Sequence, residues 1–357
     1  MTIVAHSRPY VIGVDCHART HTYAIIDTRT GQQLGCEQFP TSGPGIVRAI
    51  TWVGQRTGGD AAALWVIEGV ASYGAGLAHV VTDAGYEVVE APRMNARGRR
   101  GVGKSDPLDA HTIATTVLGL EEAQLRQPRQ DQGTRAALRT LVAARDQLTQ
   151  ERTMNINALT ALVRVNSLGI DARKPLTAPQ VTTVSRWRER DEPMEAVIAR
   201  EEAVRLARRI HELNEQLAAN YKRMTGLIHY SPAAPLLNII GVGAVTAAIV
   251  LAAWSHPGRV RSEAAFAALA GVSPIPASSG NTTRHRLNRG GDRRLNRALH
   301  IAVLVRMTHD PETRTYVENR LQEGRTRREI RRALKRYLAR SLYRSLNTLH
   351  QPPPLAA

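Results

Sequence analysis

Cysteine is nearly absent from this chain: Cys16 and Cys36 are the only two in 357 residues. They stand in no CxxC or Cys/His zinc spacing, which removes a zinc site and a disulfide framework from consideration. A reducing, cytoplasmic setting is expected, and the opening MTIVAHSRPYVIGVD carries no secretory pattern. Aromatic residues make up 4% of the chain, too few for base stacking to be the main mode of nucleic-acid binding. Long apolar runs are also scarce. The one stretch long enough to cross a bilayer, Leu236 to Trp254 (LLNIIGVGAVTAAIVLAAW), is solitary and lies in the most basic region. Gly241 and Gly243 near its start point to a hairpin between two shorter buried helices, and no membrane partner is expected.

Acids are in deficit, 31 against 48 Lys and Arg, which gives a formal charge of +17. Such an excess favours a polyanionic partner, and it is unevenly placed. Residues 1–128 carry 11 basic and 12 acidic side chains, residues 129–230 carry 17 and 12, and residues 231–357 carry 20 and 7. The first third reads as a neutral folded domain and the last as the electrostatic footprint. Residues 231–345 form a third, mostly helical domain, and 346–357 form a tail.

Residues 10–15, 21–27 and 32–38 read as strands, with a turn at Thr28–Gly31. Residues 64–68 add an apolar strand, 72–83 a helix, 86–90 a further strand, and a helix follows from about residue 107. Hairpin strands followed by alternating strand and helix predict an α/β domain with a mixed sheet. Residues 134–165 and 195–228 keep helical apolar spacing on either side of a Pro-containing connector at 165–192. They predict two long amphipathic helices, paired within the chain or dimerising as a coiled coil.

Four acids stand out in the first domain. Asp15 ends the first strand, Glu68 ends the fourth, and Asp106 and Asp109 sit in KSDPLDA at a helix start. Carboxylates at strand ends project where ligands of open α/β sheets gather, and acids three apart share a helix face. Converging carboxylates repel one another unless a cation neutralises them, and hard oxygen donors suit Mg²⁺ or Mn²⁺. Singly, each acid also has a structural role: Asp106 before Pro107 is a good N-cap, and Asp109 complements the helix dipole. The preceding RMNARGRRGVGKSD supplies Arg93, Arg97, Arg99, Arg100 and Lys104, a positive loop suited to a phosphate backbone. Asp15 is followed by Cys16-His17-Ala18 rather than a Gly-rich phosphate loop, which counts against a sugar or acetate kinase of the actin-like fold.

In the last domain, the hairpin glycines Gly241 and Gly243 have the look of a helix-hairpin-helix whose backbone approaches phosphates. PIPASSGNTTRHRLNRGGDRRLNR then places Ser278, Ser279, Asn281, Thr282 and Thr283 before Arg284, Arg286, Arg289, Arg293, Arg294 and Arg297. Hydroxyls beside arginines suit either covalent attack on a phosphodiester or passive phosphate binding. The basic helix at 325–344, with Arg328, Arg332 and Arg336, suits backbone contact with nucleic acid.

These motifs together resemble the insertion-sequence 110 family of transposases, RNA-guided DNA recombinases. The resemblance rests on VIGVDCHARTH, LWVIEGVASYG and VGKSDPLDAHTIA in the first domain, and on LLNIIGVGAVTAA, FAALAGVSPIPASSG and GGDRRLNRALHIA in the last. It implies an RNase H-like (RuvC-like) α/β domain with Asp15, Glu68, Asp106 and Asp109 as a metal-binding, catalytic quartet. It implies central antiparallel coiled-coil helices that dimerise, and a mainly α C-terminal transposase domain. Its catalytic serine would be Ser279, beside Gly280, with Ser278 the adjacent alternative. The implied partners are a guide (bridge) RNA, donor and target DNA, and further copies of the chain, dimers assembling to tetramers in the prokaryotic cytosol. The chain departs from the family pattern in DCH after the first acid and in Gly290-Gly291 after Arg289. Two further readings remain: a metal-dependent RuvC-like junction-resolving nuclease without serine chemistry, and a non-catalytic nucleic-acid-binding scaffold.

Overall fold

The first 131 residues are organised by one buried hairpin. β1 (Tyr10–Cys16) buries Val11 to Asp15 without a break, and β2 (Thr20–Asp27) buries His21 to Ile26. Such runs belong to strands covered on both faces. The computed structural model describes residues 2–92, 105–129, 132–278, 285–286, 288 and 290–348. β3 (Gln33–Pro40) is a more exposed edge, while β4 (Leu64–Ile67) is wholly buried and β5 (Glu87–Glu90) closes the other side. The sheet order is β3-β2-β1-β4-β5, with β1, β2 and β3 antiparallel and β4 and β5 parallel to β1. This five-stranded mixed sheet is consistent with the RNase H-like α/β domain expected.

Helices cover both faces. α2 (Gly43–Thr57) and α3 (Ala75–Asp83) pack on Ile12, Val14, Tyr23, Ile25, Trp65 and Ile67. α2 was not foreseen from the strand pattern: Gly43-Pro44-Gly45 hides its start, where the Gly45 N–H donates to the Ser42 hydroxyl at 3.3 Å. α4 (Asp106–Thr116) covers the opposite face, where Ile113 and Ala114 meet Val11, Ile26, Leu64 and Val66. Gly13 permits this close approach. A β-carbon there would lie 2.2 Å from the Ala110 carbonyl oxygen and 2.4 Å from the Ala114 nitrogen. A short helix, α1 (Val4–Ser7), is tied in through Arg8, which donates to Glu122 at 2.7 Å and Glu87 at 2.5 Å.

Residues from 132 onward form a second compact unit. α5 (Gly133–Val165) and α7 (Met194–His229) are the two long helices predicted, and they pair antiparallel within the chain. Arg209 bonds Glu151 at 2.7 Å, Arg152 donates to the Asn214 side chain at 2.5 Å, and Asn220 donates to the Leu141 carbonyl at 3.0 Å. The connector holds α6 (Ala178–Ser185), which closes a small core with Leu159, Val163, Ala203 and Ile210. α8 (Ala244–Trp254), α9 (Glu263–Leu269), α10 (Arg293–His309), α11 (Pro311–Gln322) and α12 (Arg327–Thr348) build the larger core with the near ends of α5 and α7. A two-stranded ribbon, β6 (Ile275–Pro276) and β7 (His285–Arg286), interrupts the helices.

The long apolar run divides as its glycines indicate. A short 3-10 turn (Ala234–Asn238) replaces the first α-helix of the expected helix-hairpin-helix, and α8 is only 11 residues long. Among the described residues, no helix is long and apolar enough to cross a membrane. Gly241 has φ +86°, and a β-carbon on it would lie 2.5 Å from the Ala302 carbonyl oxygen. Its glycine requirement thus arises from the chain's own backbone on α10.

Candidate metal centre and basic surfaces

Strand alternation puts Asp15 on the same face of β1 as Gly13, the face over which α4 lies. The glycine lets α4 down onto the sheet, and its first turn brings Asp106 and Asp109 to the end of β1. Asp15 and Asp109 are buried and Asp106 is half-buried. Burial pushes the Asp15 carboxyl above its ordinary value; His17 draws it down, and Asp109 and Asp106 push it further up. Three carboxylates thus converge in a partly dehydrated place, the arrangement in which a divalent cation relieves both burial and repulsion. The donor set therefore fits Mg²⁺ or Mn²⁺.

Asp106 is not the N-cap that its position before Pro107 suggested. Ser105 takes that place, and Asp106 is the first helical residue. Its carboxylate is turned to account by His17, whose Nε2 lies 3.6 Å from Asp106 Oδ1 and 3.1 Å from Asp15 Oδ2. Ligand atoms of Asp15, His17 and Asp106 all lie within 4.8 Å of one another. The sequence pattern does not single out His17 as a site residue, although it lies in the DCH departure from the family motif. It stands two residues after a strand-end acid, and what places it is the tight turn in which its own N–H donates to the Thr20 carbonyl at 3.1 Å.

Glu68 follows β4, and its N–H donates to the Val14 carbonyl at 3.0 Å, continuing the parallel register so that it stands beside Asp15. It is exposed, and it is not part of the three-residue group. Burial, Asp15 and Glu68, in that order, push the neighbouring Cys16 thiol far above its ordinary value, which disfavours the thiolate. An open groove lined by Thr22, Glu37, Gln38, Ser105 and Asp106 adjoins the acids.

The basic residues divide into committed and open ones. Arg294 and Arg297 both bond Asp146 on α5, each at 2.6 Å. Arg336 donates to the Ser273 hydroxyl at 2.5 Å, while Arg340 and Arg344 both hold Glu263. Arg286, Arg293, Arg328 and Arg332 are exposed. Gly243 is exposed at the N-cap of α8. Ser278 is exposed, and it falls with Ser279 in the connection between β6 and β7. Ser279, Arg93, Arg97, Arg99, Arg100, Lys104, Arg284 and Arg289 lie outside the described residues.

Asn296 donates to the Ala270 carbonyl at 2.8 Å and the Gly271 carbonyl at 3.3 Å, and it accepts from the buried Lys335 amine at 3.0 Å. Gly271 and Gly291 meet so closely that a β-carbon on Gly291 would lie 2.3 Å from the Gly271 nitrogen. These contacts fix both roots of the segment that carries the serines.

A mixed sheet with acids at its strand ends and an arginine-rich helical unit define a class, and comparison with known proteins gives it: residues 12–165 match a transposase family model of the IS110 DEDD type. Residues 233–318 match the transposase model of the IS116/IS110/IS902 family. By these two domains, in order and together covering about two thirds of its length, the chain belongs to the IS110 family of transposases. It is 32% identical over 123 residues to the insertion element IS110 uncharacterized 43.6 kDa protein of Streptomyces coelicolor, a match spanning 34% of this chain and 30% of that protein. It is 34% identical over 92 residues to the insertion element IS900 uncharacterized 42 kDa protein of Mycobacterium paratuberculosis, spanning 25% of this chain and 23% of that one. The similarity thus covers less than a third of either relative's length.

Proposed function

We propose that this protein is a DNA recombinase that cuts and rejoins donor and target DNA through a metal-binding acidic site and a covalent phosphoserine intermediate. The observation that carries the reading is the approach of Asp15 and Asp106, whose ligand atoms lie with that of His17 within 4.8 Å of one another, with Asp109 in the same first turn of α4, inside the segment matched by the transposase model. Asp15 and Asp106 hold the cation, with Glu68 and Asp109 completing the quartet. A divalent cation bound there supplies charge neutralisation for the phosphate oxygens of a scissile linkage. Ser279 attacks phosphorus: an Oγ–P bond forms, the P–O bond to one deoxyribose breaks, the serine proton is released, and the departing oxygen is protonated. A hydroxyl of a second DNA end then reverses the step, releasing Ser279 and restoring a phosphodiester, with no net consumption of water or cofactor.

The exposed Arg286, Arg293, Arg328 and Arg332 contact phosphates, joined by the basic loop from Arg93 to Lys104 and by Arg284 and Arg289. A guide RNA specifies the DNA ends, and the chains assemble as dimers and then tetramers in the prokaryotic cytosol, so that one subunit's acids serve another's serine. The support for this finer reading is the family membership, the basic excess and the hydroxyl–arginine segment.

The test is incubation of the purified protein and its co-purified RNA with Mg²⁺ and end-labelled donor and target DNA, read on a denaturing gel. Wild type is expected to form a protein–DNA adduct that Ser279→Ala abolishes. Cleavage without any adduct would instead identify a nuclease that uses metal and water. Equal adduct from both proteins would move the nucleophile, first to Ser278.

A further inference from the structure

We infer that His17 is a direct ligand of the cation, and that it gives this site a preference for a divalent transition metal over Mg²⁺. The inference rests on the metal-centre reading above and adds to it a nitrogen donor outside the acidic quartet.

The donor spacings are close to those of ligands that share one ion. Two donors bonded to one cation at about 2.1 Å stand roughly 3.0 Å apart in an octahedral shell and about 3.4 Å apart in a tetrahedral one. His17 Nε2 lies 3.1 Å from Asp15 Oδ2 and 3.6 Å from Asp106 Oδ1. A single nitrogen thus addresses both carboxylates, one from a strand end and one from a helix start. The backbone makes this placement firm: His17 follows the last residue of β1 and closes the β1–β2 turn through its N–H to Thr20. The imidazole is half exposed, side-chain exposure 51%, so a cation held by the three residues keeps positions open toward solvent and an incoming phosphate.

Ligand chemistry sets the preference. An all-carboxylate site suits Mg²⁺, which is hard and gives up its waters reluctantly. An imidazole nitrogen is a borderline donor that strengthens binding of first-row transition ions far more than that of Mg²⁺. Asp15–His17–Asp106 is therefore a mixed oxygen–nitrogen site, with Mn²⁺ as its natural probe.

The experiment uses the full-length protein, without DNA, as wild type, His17→Ala, His17→Gln and Asp15→Asn. Mn²⁺ and Mg²⁺ affinities are measured by equilibrium titration, and bound Mn²⁺ is examined by pulsed electron paramagnetic resonance. Wild type is expected to show a histidine-nitrogen hyperfine coupling that both His17 variants lose. Mn²⁺ binding should weaken about tenfold or more in His17→Ala, a loss of the size seen when support around a metal is removed, with Mg²⁺ binding changing much less. Circular dichroism checks that the variants fold, and His17→Gln, which keeps a polar side chain, controls for lost hydrogen bonding.

Bound Mn²⁺ without nitrogen coupling, a coupling that survives in His17→Ala, or an unchanged Mn²⁺/Mg²⁺ ratio would overturn the inference and leave His17 as a hydrogen-bond donor to Asp15. Asp15→Asn separates the two readings. If it abolishes binding of both ions while His17→Ala does nothing, only the role of His17 falls. If it leaves binding intact, or if wild type takes up no Mn²⁺, the metal centre itself falls.

Discussion

Single side chains in the first unit carry two kinds of charge arrangement. One is the repulsive group around Asp15; the other is the attractive set around Arg8, which joins α1, β5 and the turn at Glu122. The Glu122 carboxyl is held below its ordinary value near 4.5, first by the hydrogen bond from Arg8 and then by that from Ser7. A depressed carboxyl stabilises the fold above its unfolded value and loses that contribution as pH falls through the folded one. Glu122→Gln should therefore melt a few degrees below wild type near neutral pH, with the gap closing below pH 4.5. Thermal unfolding followed across pH checks this, and a gap that widens in acid would refute it. Asp15, Asp106 and Asp109 were legible as candidates because acids placed to converge at one end of a sheet repel one another unless a cation neutralises them. His17 was not, because its value depends on the turn that folds it back between two acids, and no spacing rule reports that.

Elements meet where side chains are missing. Gly13 is the contact point of α4 and the sheet, so its absent β-carbon sets the distance from Asp106 and Asp109 to Asp15. Gly13→Ala should cost about 2 kcal/mol through overpacking and weaken Mn²⁺ binding, although no carboxylate is altered. Calorimetry and metal titration on the same sample measure the two effects, and an unchanged metal affinity would separate the helix from the site. On α10, Asn296 holds two carbonyls and the Lys335 amine. Asn296→Leu strands all three and should destabilise the second unit by roughly 1–3 kcal/mol, read as a lower denaturant midpoint. The central strands were visible in the sequence as short continuous apolar runs bounded by turn residues, and the long α5–α7 pair because one-sided burial imposes a helical period on it. The helix α2 was hidden by Gly43-Pro44-Gly45, and the 3-10 turn before α8 by an apolar run that looks helical throughout. In the second unit, Gly241 suggested a phosphate contact, yet its neighbour is the backbone at Ala302. A glycine's sequence context shows that something comes close, but not what.

Across the whole molecule, charge is segregated. Residues 1–128 are near neutral, while residues 231–357 hold 20 basic side chains against 7 acidic. The sequence shows this total, whereas the structure shows which cations are spent internally, on Asp146 and Glu263, and which face solvent. If Arg328 and Arg332 each neutralise a phosphate, replacing both by Gln should flatten the dependence of log affinity on log salt by about 2. Arg340→Gln, which removes a contact to Glu263, should leave that slope unchanged. Binding of the full-length protein to duplex DNA between low and physiological salt decides the matter. Lastly, the order of threading has a consequence for timing. Asp15 and His17 are synthesised early, but Asp106 and Asp109 reach them only after β4, β5 and the start of α4 have been made. A nascent chain that has not yet emerged past Asp109, or one truncated before Asp106, lacks part of the proposed donor set, so the proposed metal centre can assemble only once the start of α4 is in place.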